Sequence, residues 1–214
     1  MARPIASIIL VTYCPNEERK ALSIKSFETL HKTGLERKDY ELIVINNGGI
    51  HQELIDSLEP NIEIKNRVNT IFPAIGKNQG MRLARGEYVS FVDDDLLFSE
   101  GWLKEGIDML EKYPNEKLVA SVRYLGHPQR YSMGKLDNHL LVSKVGGWWI
   151  LKKEIMDRYG DFKVGISEDK NYWKKNFKPN GYRFILSEKP YILHLGERKS
   201  ILMGQFYEKH NKRF

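Results

Sequence analysis

The chain has 214 residues, 41% hydrophobic and 29% charged, enough to bury one substantial core within a single domain or two closely packed halves. Its single cysteine, Cys14, excludes an internal disulfide. No apolar run nears the roughly 18 residues of a membrane span, and Ile5 to Val11 is too short for a secretory signal, so a cytoplasmic location is expected.

The first apolar run, Ala6 to Tyr13, predicts a strand, and Asn16 to Leu30 a helix with Leu22, Phe27 and Leu30 inward. A second run, Tyr40 to Ile45, ends at Asn46, Asn47, Gly48 and Gly49, a strong turn signal. A helix over 52–58, a short strand over 62–65, a glycine-containing helix over 74–84 and a strand over 88–92 follow. Apolar strands alternating with helices imply parallel βαβ units covered on both faces. Further on, 103–113 predicts a helix, 118–124 a strand and 126–138 an aperiodic loop. Helices over 152–159 and 168–176 precede short strands over 183–186 and 191–195. Residues 200–210 predict a basic amphipathic helix or tail.

The strand over 88–92 runs directly into Asp93, Asp94 and Asp95. Two like charges about 4 Å apart at an effective dielectric near 20 repel by roughly 4 kcal/mol, so the triplet needs a metal, basic partners or raised pKa values. Residues two apart share a face of a strand, so Asp93 and Asp95 are expected to project together from its carboxyl end. That end is where ligands bind in open α/β sheets. A solvated acidic turn capping the next helix is the plainer reading.

Several landmarks follow one another in order: SIILVTY at 7–13, ELIVINNGG at 41–49, GKNQG at 76–80, ARGEY at 84–88, Asp93 to Asp95, Gly146 and Gly147, GDF at 160–162, Glu168 and Asp169, and HLG at 194–196. Over residues 5–199 the chain resembles the family 2 glycosyltransferases, which have the GT-A fold. The resemblance implies an α/β fold with a Rossmann-like, mostly parallel central sheet. It implies one domain over 1–199, with a nucleotide-sugar-binding half at 5–98 and an acceptor-binding half at 99–199 sharing that sheet, and a basic tail at 200–214.

It also implies a nucleoside-diphosphate-sugar donor and Mn²⁺ or Mg²⁺. Asp95 is then the expected metal ligand, Asp93 the ribose or metal partner and Asp94 a supporting carboxylate. His194 is an additional metal or diphosphate contact, or a structural histidine. Tyr13 is placed to stack on the nucleobase, with core packing as its alternative. Asn46 and Asn47 stand where relatives carry acidic residues reading the base, so UDP is expected and another base stays open. Lys77, beside Asn78, is the candidate to balance the diphosphate, whereas Arg82 and Arg85 read as solvated surface. Asp169, in the pair with Glu168, is the expected base of an inverting displacement, and helix capping its alternative. Trp148 and Trp149 are expected either to wall the sugar site or to enter the core.

The net charge of +6 is lopsided. Residues 170–214 carry 11 Lys and Arg against 3 Glu, and residues 1–169 carry 23 against 25 Asp and Glu. Such a surface favours an anionic partner or simply solubility. The acceptors considered are DNA with hydroxymethylated bases and a lipid-linked or surface glycan, the latter with the tail against anionic lipid. A haloacid-dehalogenase-type phosphatase, which also opens with a strand ending in Asp-x-Asp, and an inactive GT-A-like domain binding nucleic acid or membrane are the competing functions. Oligomeric state and sugar identity have no signal in the sequence.

Overall fold

The computed structural model describes residues 3–66, 73–125, 130–144, 148–165 and 168–195. Strand β1 (Ala6–Cys14) is buried along nearly its whole length, as its unbroken apolar run requires. Helix α1 (Glu17–Leu30) starts at Asn16, whose side chain accepts from the Arg19 backbone N–H, and buries Phe27 and Leu30. Strand β2 (Tyr40–Gly49), helix α2 (Gln52–Ser57), strand β3 (Ile62–Lys65), helix α3 (Pro73–Leu83) and strand β4 (Tyr88–Asp93) complete the alternating half. Strand β2 outruns its apolar stretch because Asn46 and Gly49 still pair, with Thr12 and Cys14.

The second half holds strand β5 (Leu96–Phe98), helix α4 (Trp102–Lys112), strands β6 (Leu118–Leu125), β7 (Arg130–Leu136), β8 (His139–Lys144) and β9 (Trp149–Lys152), and helix α5 (Lys153–Tyr159). Helix α6 (Glu168–Tyr172) continues into a π turn over Trp173–Phe177, and strand β10 (Arg183–His194) is the last element of the described residues. Part of the expected loop over 126–138 is therefore a hairpin, β7 with β8, added beside β10. The two short strands expected near the end are one strand whose register shifts between Ser187 and Tyr191. The expected helix over 200–210 lies outside the described residues.

Among the described residues there is one ten-stranded sheet, ordered β3-β2-β1-β4-β9-β6-β10-β8-β7, with β5 on β10. Strands β1 to β4 are mutually parallel, and antiparallel β9 joins them to β6. The chain leaves β1 toward β2 and β3, then returns to pair β4 on the other side of β1. Where strand order reverses in this way, the ligand crevice of open α/β sheets lies outside the carboxyl ends of the strands, here those of β1 and β4.

Helices α1 and α4 cover one face, over Ile8, Leu10, Trp102 and Trp148; α3, α5 and α6 cover the other, over Ile9, Val11, Trp149 and Phe162. Helix α3 lies close because two of its residues lack a Cβ. A methyl group on Gly80 would sit 2.3 Å from Ile9 Cγ2, and one on Gly76 2.7 Å from Val11 Cγ1.

Candidate active site

Register sets the site. Asp93 pairs opposite Val11 at the end of β4, so Asp94 and Asp95 enter the crevice just past the last parallel pair. Strand β5 turns back antiparallel on β10, with Leu96 opposite His194. This brings the end of the described chain to the acidic triplet: His194 Nε2 lies 3.6 Å from Asp95 Oδ1, and the Leu195 N–H donates to the Asp95 carbonyl at 2.8 Å.

The charge of the triplet is partly offset from within, by Arg19. Asp94 Oδ2 accepts from Thr12 Oγ1 at 2.6 Å and from the Tyr13 N–H at 3.2 Å, and its Oδ1 is bound by Arg19. The other arm of Arg19 donates to Asp95 Oδ2 at 3.0 Å. Burial nevertheless pushes Asp94 up to about 6, against Arg19 and with help from Asp95. Asp93, partly buried, is also raised, by burial first, with Lys77 opposing and Asp95 and Glu168 adding. Thr12 Oγ1 spends its one hydrogen on Asp94, so His51 Nε2, 2.7 Å away, must be its donor. The ring is neutral, because burial and then Arg19 lower its pKa to about 4.

A second carboxylate group faces the triplet from α6. Lys77, only 2% exposed, donates to Asp169 Oδ1 at 2.7 Å and to Glu168 Oε1 at 3.1 Å. Burial pushes Asp169 up to about 7; Lys77 opposes this and Glu168 reinforces it. Asp93 feels Lys77, Glu168, Asp95 and His194 electrostatically. It is the hinge between the two groups.

Other expected site residues are turned inward. Trp148 and Trp149 are both buried, and the expectation of an aromatic wall is corrected. Trp149 opens β9 and Trp148 immediately precedes it, and consecutive residues of an extended chain point to opposite faces. Trp148 therefore packs edge-on against Trp102 in one core, and Trp149 among Phe162, Trp173, Phe177 and Phe184 in the other. Asn78 uses both ends of its amide on the Phe162 backbone, at 2.9 and 2.8 Å, tying α3 to the segment before α6 rather than reaching a ligand. Asn46 donates to Gln52 and Glu63 and accepts from the Gly48 N–H. Asn47 accepts from Asn66 at 2.6 Å. Both asparagines are buried behind the end of β1, where Tyr13 is partly exposed. Arg82 pairs with Asp161 on the surface and Arg85 with buried Glu41.

Arg19, His51 and Thr12 had not been singled out from sequence. Arg19 carries a faint signal: it is a cation in the first turn of α1, where the helix dipole favours anions and where Glu17 and Glu18 already stand. A cation there needs carboxylates of its own.

Among the described residues no three His, Cys, Asp or Glu side chains already converge as a metal cluster. The residues nonetheless fit a hard divalent cation. Asp95 Oδ1 is buried with no hydrogen-bond partner and has an imidazole nitrogen beside it. Mg²⁺ is commonly held by one or two carboxylates, with water and substrate phosphate completing the shell.

A family model described as glycosyl transferase family 2 matches residues 7–177. Residues 1–349 of S. aureus TarS in complex with UDP-GlcNAc match 95% of this chain and 63% of that one, at a TM-score of 0.70 and 20% identity. Longer S. aureus TarS matches with a TM-score of 0.72 and 18% identity, over 95% of this chain and 38% of that one. The mannosyltransferase PcManGT from Pyrobaculum calidifontis, in complex with GDP-Man and Mn²⁺, matches at 0.69 and 16%, over 92% and 59%. These likenesses are of fold, the GT-A fold, and the chain spans less than two thirds of the length of each structure. No curated protein matches the chain.

Proposed function

The chain belongs to glycosyl transferase family 2, and from that premise we propose that it moves a sugar from a nucleoside-diphosphate sugar to an acceptor hydroxyl with inversion. The observation carrying this reading is the pair of carboxylate groups flanking one crevice: Asp93 to Asp95 after β4, and Glu168 with Asp169 on α6, with Asp93 sensing both. Family membership also sets aside the phosphatase alternative.

The donor diphosphate lies over the ends of β1 and β4, with the base toward Tyr13. Asp95 and His194, with Asp93 in reach, would hold Mn²⁺ or Mg²⁺, which supplies Lewis-acid stabilisation of the leaving diphosphate. Asp169 accepts the acceptor hydroxyl's proton as that oxygen bonds to the anomeric carbon, and the bond from that carbon to the diphosphate oxygen breaks with its electrons leaving on the diphosphate. A base with a pKa near the working pH balances ionisation against proton affinity. Lys77 holds Asp169 in place and favours its ionised form. The donor is a UDP-sugar or, given the asparagines at 46 and 47, one with another base.

The acceptor is anionic, a reading supported by the excess of Lys and Arg over residues 170–214. Hydroxymethylated DNA and a lipid-linked or surface glycan are its two forms. Binding of either should weaken steeply with salt, and a flat response from both would remove the anionic acceptor.

A thermal-shift panel of UDP- and GDP-sugars with and without Mn²⁺ tests the donor. Occupancy at 100 times the dissociation constant stabilises by about 2.7 kcal/mol. No shift with any donor and metal would overturn the transferase reading.

A further inference from the structure

The proposed reaction gives no role to the buried cation that touches the acidic triplet. Arg19 is 4% exposed, sits in the first turn of α1 beside exposed Glu17 and Glu18, and turns inward to span Asp94 and Asp95. Asp94 is fully engaged within the protein: Arg19 holds one oxygen, and Thr12 with the Tyr13 N–H holds the other. Asp95 is divided. Its Oδ2 accepts from Arg19 at 3.0 Å, while its Oδ1 is buried, has no hydrogen-bond partner and points toward His194 Nε2.

We propose that Arg19 is a positioning residue that makes Asp95 a one-oxygen ligand for the donor's cation, and so sets a preference for Mg²⁺ or Mn²⁺ over Ca²⁺. This rests on the transferase reading. A guanidinium is a planar, rigid fork. With one arm anchored on Asp94, which Thr12 and the β1 backbone immobilise, the other arm fixes the plane of the Asp95 carboxylate. Ca²⁺ takes 6–8 oxygens and readily uses both oxygens of one carboxylate, whereas Mg²⁺ wants six ligands in octahedral array and accepts single oxygens. With Oδ2 held by Arg19, the two-oxygen mode is closed. The arrangement also explains why a cation occupies a helix turn that disfavours one: the partners lie in the crevice, 75 residues along the chain or more.

Calorimetric titration of UDP and of GDP into the full chain, with Mn²⁺, Mg²⁺ or Ca²⁺, tests this without requiring turnover. The wild type should bind its preferred diphosphate at least about tenfold more tightly with Mn²⁺ or Mg²⁺ than with Ca²⁺. In Arg19→Met the ratio should fall to within about threefold, and Arg19→Lys, which keeps the charge but not the fork, should lie between. A wild type that binds equally well with Ca²⁺ overturns the proposal, as does a folded Arg19→Met or Arg19→Lys that keeps the wild-type ratio. The wild-type ratio needs no variant to fold. If neither diphosphate binds with any cation, the transferase reading falls and takes this proposal with it. Binding without discrimination between cations overturns the proposal alone.

Discussion

Asp169 sits where three opposing influences meet: burial raises its pKa, Lys77 lowers it, and Glu168 raises it again, to about 7. As the proposed base, Asp169 works ionised, so the rate of transfer should climb as pH rises through about 7 and level off above. A rate independent of pH between 5 and 8 would argue against Asp169 as base. Asp169→Asn should lower transfer by roughly 10²–10⁴-fold. Removing Lys77 takes away the main influence holding the pKa down, so in Lys77→Met the acid limb should move to higher pH; a shift to lower pH would contradict the pairing. The same substitution strands two carboxylates, at a stability loss of about 3–5 kcal/mol measurable by denaturant titration. The acidic triplet was legible in the sequence as three consecutive acids at the end of an apolar strand, and Glu168 with Asp169 only through the family resemblance. Their counter-ions were not. Arg19 is 75 residues from Asp94 and Lys77 is 91 from Glu168, and only the packing of α1 and α3 on the sheet brings them in.

At the scale of elements, the alternating half was readable to within a residue at most boundaries, apart from the far end of β2, since β1, β2 and β4 announce themselves as unbroken apolar runs. The second half was read less well. Strand β7 carries Gly and Lys and ends before a tight turn at Asp137, whose φ is 50°, and an edge strand needs no apolar periodicity to pair. Trp148 and Trp149 left both readings, wall and core, open for a related reason. Neighbouring aromatics at a strand start look like an exposed wall, yet the sheet is covered on both faces, and each ring found its own core. The glycines of α3 have a packing cause. Gly80→Ala would drive a methyl group to 2.3 Å from the side chain of fully buried Ile9. It should cost about 1–3 kcal/mol and lower Tm by roughly 2–12 °C in a chain this size. An unchanged Tm would show that α3 can move away freely.

Across the whole molecule, strand order accounts for the site's location better than any single motif. The reversal at β1 marks the crevice, β4 delivers the acids, and β10 returns through β5 to bring His194 beside them. Helix α6, from the other half, supplies Asp169, and Lys77 ties it to α3. The carboxylates proposed for donor binding and for the base are thus separate in sequence and joined by one sheet, so substitutions should separate them by function. Titration of the donor diphosphate with Mn²⁺ into Asp95→Asn and Asp169→Asn measures that division directly. Asp95→Asn should weaken binding at least about tenfold, the order expected for losing a carboxylate from a hard-cation site, and Asp169→Asn should leave it within about twofold of wild type, since a base that acts only in the transition state adds nothing to ground-state affinity. Equal losses in the two variants, or a loss confined to Asp169→Asn, would contradict the assignment of cation and base to opposite walls of the crevice.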